Sequence, residues 1–207
     1  METKITSILA FTALLAGSTI SASAAVVSFI DEDIAIPTDF VGVSLDLETG
    51  ATSSSLEGLS GGDLNFVFGG QAFSNDADEN ATAPSWQPVR GNTGNSDVLE
   101  NLGVGVEVGP TSTVSSDFGG STDNFANFTP GERGYVGFSL ILDDGNDTVA
   151  YGWVEVTFQD NDTPGVIHSW AYDDTGDPLA VAAVPEPTQS VLIIMGLAAT
   201  ALRRRRS

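Results

Sequence analysis

Short runs in which every second residue is apolar recur along this chain, and clusters of Gly, Asp, Asn and Thr separate them. Residues 40–47 (FVGVSLDL), 64–68 (LNFVF) and 102–108 (LGVGVEV) show the alternation most openly. A period of two puts successive side chains on opposite faces and suits a strand with one buried face, whereas a helix needs apolar residues three and four apart. The pattern predicts further strands at 26–30, 135–142, 149–158, 166–172 and 179–183. Turn chemistry marks their ends. The DDGND segment at 143–147 reads as a hairpin, and 160–165 and 173–177 close the next two runs. Residues 69–97 have little alternation and are expected to be long loops with one strand around Trp86. Strands at this spacing predict an all-β fold, an antiparallel β-sandwich of jelly-roll-like type spanning residues 25–183.

The two ends carry different signals. Lys4 gives a weakly positive start, an uncharged apolar run follows at 8–20, and Ala22, Ser23 and Ala24 supply the small residues a signal peptidase admits. This pattern predicts a signal peptide over 1–24, cut between Ala24 and Ala25. At the other end, a Pro-Glu-Pro triplet precedes an apolar stretch and four consecutive arginines. Two prolines keep their segment extended and out of a helix. The apolar run, about 188–202, is shorter than the roughly 20 residues a bilayer core asks for. Arginine stems lengthen it by snorkelling, and their charge holds them on the cytoplasmic side. VLIIMGLAATAL has no polar face, which argues against a buried amphipathic helix with a basic tail. A C-terminal transmembrane helix facing its domain outward is therefore expected.

Val184, Pro185, Glu186 and Pro187, then the apolar stretch, then Arg203, Arg204, Arg205 and Arg206, resemble the PEP-CTERM sorting signal of Gram-negative bacteria. Upstream, Tyr135-Val136-Gly137-Phe138, Tyr151-Gly152-Trp153 and the run from Ser169 through Trp170, Ala171, Tyr172, Asp173, Asp174 and Thr175 to Gly176 are similar to segments common near the ends of such proteins. The resemblance implies export through the inner membrane with signal peptidase and exosortase as processing partners. It implies transient anchoring by the helix, cleavage near the triplet, and transfer to the cell surface or extracellular matrix. It carries no catalytic residue, so a non-enzymatic protein is expected.

Charge narrows the partners. All but Glu2 and Glu186 of the 28 acidic residues lie in 25–183, against only Arg90 and Arg133 of the seven basic ones, leaving that segment near −24. Nucleic acid and anionic lipid are excluded by repulsion. Cations, basic proteins and neutral polymers such as extracellular polysaccharide remain, and an acidic surface is also a form of salt adaptation. The chain has no cysteine and one histidine, His168, so thiolate chemistry, disulfides and multi-histidine metal sites are out of reach.

Calcium takes several oxygens from a tight loop, which makes Asp143, Asp144 and Asp147 candidate ligands. The competing explanation is that Asp and Asn fill turns because they bond their own backbone. The acidic loops at 160–162 and 173–177 face the same choice. The DxDxN opening at 76–80 lacks the later Gly and Glu of an EF-hand. Trp86, in Pro-Ser-Trp-Gln-Pro, is the candidate exposed platform for stacking a sugar, the runner-up function being a carbohydrate-binding module; Trp153 and Trp170 are expected in the core. A serine–histidine–aspartate arrangement would have to use His168, which a strand position beside Trp170 suggests is structural. No Gly-x-Ser-x-Gly turn is present, and among so many carboxylates none is singled out as a glycosidase pair.

Overall fold

The computed structural model describes residues 26–55, 62–74, 85–90, 98–114, 120–121, 127–160 and 162–183. Residues 1–25, where a signal peptide is predicted, the expected sorting segment 184–207 and residues 76–80 lie outside the described residues. Those described are all-β, with antiparallel pairing throughout. The strands are β1 (Val26–Phe29), β2 (Ile34–Ile36), β3 (Val43–Leu45), β4 (Thr52–Ser53), β5 (Leu64–Val67), β6 (Ala72–Ser74) and β7 (Trp86–Pro88). They continue with β8 (Glu107–Val108), β9 (Gly120–Ser121), β10 (Arg133–Ile141), β11 (Val149–Thr157), β12 (Gly165–Asp173) and β13 (Leu179–Ala180). A 3-10 turn, Phe68–Gly70, sits between β5 and β6.

Three nine-residue strands, β10 to β12, form the backbone of a six-stranded sheet ordered β1-β12-β11-β10-β7, with β2 also paired to β12. Five shorter strands make a second sheet, β4-β3-β5-β6-β9, and β13 pairs with β8. One hydrophobic cluster draws on both larger sheets. Val43, Leu45, Leu64, Phe66 and Phe73 join Val136, Phe138, Leu140, Val154, Ile167 and Trp170. Trp170 fixes the link, donating its indole N–H to the carbonyl of Leu47 at 2.9 Å while Phe29 stacks on it at 4.6 Å. A second cluster covers part of the opposite face of β10–β12, where Val108, Leu179 and Val181 pack with Val89, Trp153 and Ala171. A long sheet buried on both faces over part of its length is why its strands depart from simple alternation.

Two glycines of the recurring motifs keep those layers close. A Cβ on Gly137 would lie 2.6 Å from Leu102 Cδ1 and 2.8 Å from Val108 Cγ2. A Cβ on Gly152 would strike the carbonyl of Ala171 and come within 2.6 Å of the Phe138 ring, its cross-strand partner. The YVGF and YGW segments therefore place an aromatic ring over a glycine. Gly152→Ala is expected to cost about 3 kcal/mol through overpacking against rigid backbone, read as a lower urea midpoint.

The hairpin at 143–147 forms as its composition predicts. Ile141 pairs with Val149, and the amide of Leu142 donates to the carbonyl of Thr148 at 2.9 Å. Two alternating runs are not the strands they resemble. Of 102–108 only Glu107–Val108 is a strand, because Gly105 takes φ +83° inside a turn closed by the Val106 amide on the carbonyl of Gly103. Val104 is left 72% exposed. Of 40–47 only Val43–Leu45 pairs in the sheet. Asp39 Oδ1 accepts from the amide of Gly42, at φ +63°, and the resulting turn leaves Phe40 outside the core. Among the loops expected at 69–97, the strand around Trp86 is present as β7 and Ala72–Ser74 is an additional one.

Candidate functional site

β12 breaks register once. Glu155 faces Ser169, but the next residue, Val156, faces Ile167, so His168 is an extra residue with no partner on β11. Such a bulge re-aims a side chain. The other edge of β12 carries the matching irregularity. β1 pairs up to Trp170 and β2 from Ile167, and the connection between them crosses the bulge. Within it the amide of Glu32 donates to the carbonyl of His168 at 2.8 Å, and the amide of Asp31 to Ser169 Oγ at 3.1 Å. Asp31 and Asp33 both hold left-handed backbone, φ +58° and +46°. Aspartate tolerates that region better than most residues but still at a cost, so the loop is held in an unfavoured shape.

The result is a hydrogen-bonded chain of three side chains. His168 Nδ1 lies 2.6 Å from Asp33 Oδ1, and His168 Nε2 lies 2.8 Å from Thr157 Oγ1 at the end of β11. The imidazole is 12% exposed and the Asp33 carboxylate 64%. Thr157 faces Arg133 across the β10–β11 ladder. Arg133 Nη1 bonds Glu155 Oε1 at 3.0 Å, and the Tyr135 hydroxyl donates to the same oxygen at 3.2 Å. The hydrogen bond and charge of Glu155 push the Arg133 guanidinium above its ordinary range, and Asp33 adds to the effect. Burial, then Glu155, raises the Tyr135 phenol. The other basic residue of 25–183, Arg90, is buried with its guanidinium 5.0 Å over the Phe73 ring. The exposed cation of this strongly acidic segment thus stands beside the Asp33–His168–Thr157 chain.

Sequence reasoning placed His168 on a strand beside Trp170 but missed its partners. Asp33 is 135 residues away, and nothing local marks Thr157. The bulge did leave a trace. Ile167, Trp170 and Tyr172 all belong to the core, and the three-residue step from Ile167 to Trp170 violates period two.

Two expectations are corrected. Trp86 is no exposed platform. It is 0% exposed at the centre of an aromatic cluster, 6.2 Å from Phe66, 5.8 Å from Phe73 and 6.4 Å from Phe138. β7 is an edge strand, so the flanking Pro88 costs no ladder bond and the segment pairs rather than loops out. Asp143, Asp144 and Asp147 are not grouped as the ligands of a cation would be. Asp144 accepts from the amide of Asn146 at 2.7 Å and from Thr148, which holds its carboxyl below the ordinary range. The amide of Asp143 donates to Glu48 Oε1, and Asp147 takes φ +54° in the turn. Asp160 and Asp173 likewise accept from the amides of Asp162 and Thr175. Among the described residues no three His, Asp or Glu side chains are grouped as a metal ion would require. Trp153 and Trp170 are buried, as expected.

Asp63, Glu155 and Asp173 are buried, and burial dominates the ionisation of Asp63. Asp63 accepts from the amide of Leu47 at 2.8 Å and from Ser85 Oγ at 2.7 Å. Burial outweighs both bonds and pushes it up from 3.8 to about 7. No family model, curated protein or solved structure matches the chain.

Proposed function

We propose that this chain is an exported, non-enzymatic protein of the PEP-CTERM class, displayed on the cell surface or in the extracellular matrix. Signal peptidase removes 1–24. The 188–202 helix anchors the chain with Arg203 to Arg206 on the cytoplasmic side, and exosortase acts near Val184 to Pro187. The displayed unit is an acidic, jelly-roll-like β-sandwich, its two larger sheets joined by one shared core. The observation that carries the reading is the fixed order of triplet, apolar stretch and arginines, directly after the last described residue, Ala183. A segment near −24 with no cysteine suits a soluble cargo that folds without disulfides. Polysaccharide binding through Trp86 is not carried forward, because a ring buried among three phenylalanines has no face for a sugar.

Mass spectrometry of the mature protein from its native host tests this. The expected chain begins at Ala25 and ends near Pro187. A chain that keeps its leader and still ends in the four arginines would overturn the reading.

A further inference from the structure

From the Asp33–His168–Thr157 chain we infer that Thr157 is a nucleophile that takes an acyl group from a carboxylic ester, joining the displayed domain covalently to an ester-bearing partner. The three groups stand in the order that activates a hydroxyl: nucleophile, imidazole, carboxylate, each within hydrogen-bond reach of the next. Asp33 on Nδ1 selects the tautomer that carries its proton there, which leaves Nε2 free to accept from Thr157. The β-bulge and the strained 31–33 connection exist only at this point of β12 and between them build the arrangement.

In the step, Thr157 Oγ1 forms a bond to the ester carbonyl carbon while its proton moves to His168 Nε2. The imidazolium is stabilised by Asp33, and the carbonyl electron pair moves onto oxygen. Arg133 is the cross-strand partner of Thr157 and spends one nitrogen on Glu155, which leaves guanidinium donors to stabilise that oxygen. When the carbonyl re-forms, the bond to the alkoxide breaks and Nε2 returns the proton to the departing alcohol. An ester and the threonine hydroxyl give an acyl-threonine and an alcohol, with no oxidant or metal. One acyl group per chain suffices, so the step is compatible with display and does not depend on how the tail is processed.

The test uses the full chain in mild detergent with p-nitrophenyl acetate. The expected result is a burst of one equivalent of p-nitrophenolate and one acetyl group on the peptide that contains Thr157. Thr157→Ser should retain the burst and Thr157→Val should lose it. His168→Asn and Asp33→Asn should slow it, the former by about a hundredfold. Circular dichroism and thermal melts identify variants that remain folded. An acetyl group found only elsewhere, or a Thr157 burst unchanged in folded His168→Asn, would overturn the inference.

Discussion

At pH 8 the Asp63→Asn variant is expected to be more stable than the parent chain by about 4 kcal/mol, and the gap should close as pH falls toward 4. The sign follows from proton binding. In the folded chain Asp63 releases its proton near 7, whereas in an unfolded chain it does so near the ordinary 3.8. Between those values the folded state holds the extra proton. Stability from this group is therefore fully present below about 4 and is lost as pH rises to about 7. Asparagine has no charge to bury and keeps both contacts. Its carbonyl oxygen accepts from Leu47 and its amide donates to Ser85 Oγ, reversing the sense of that bond. Urea midpoints for the two chains across pH 4 to 8 give the answer. A constant difference at every pH would mean that Asp63 ionises as an ordinary surface carboxylate. Asp63→Ala should instead be destabilised at low pH as well, because the buried amide of Leu47 loses its acceptor.

Much of this sheet was legible because side-chain alternation is a local property. β10, β11 and β12 fall within a few residues of where alternation and the DDGND and DDTGD turns place them. Alternation misled where glycine supplied one of its phases. At 102–108 two of the three positions on the second face are glycines, Gly103 and Gly105, and Gly105 bends the backbone into a turn instead. Strands of two or three residues, such as Thr52–Ser53 and Gly120–Ser121, are shorter than any period can register. The acidic turns carry residues that suit both cation binding and local backbone bonding, and in the described loops the second outcome prevails. The Asp33–His168–Thr157 chain is the least legible feature. It is assembled by a bulge and a loop from opposite ends of the domain, and sequence separation hides it.

Trp86 separates a binding role from a packing role by the size of the loss on truncation. Trp86→Ala is expected to cost about 3–5 kcal/mol, a large share of the roughly 5–15 kcal/mol that holds an ordinary domain folded. An exposed sugar platform would lose almost nothing. The cost is high because the indole touches both sheets, against Phe66 and Phe73 on one side and Phe138 on the other. Removing it leaves a cavity those rings fill only in part. The conservative variants sharpen the test. The Trp86 indole N–H has no acceptor among the described residues, so Trp86→Phe removes volume but breaks no hydrogen bond seen there. Trp170→Phe removes comparable volume and also strips the carbonyl of Leu47 of its 2.9 Å donor. Leaving that buried acceptor unpaired adds about 1–3 kcal/mol. The order of urea midpoints should run parent, Trp86→Phe, Trp170→Phe, with Trp86→Ala lowest. A Trp86→Ala chain that melts with the parent would return the ring to the surface and reopen the case for a ligand there.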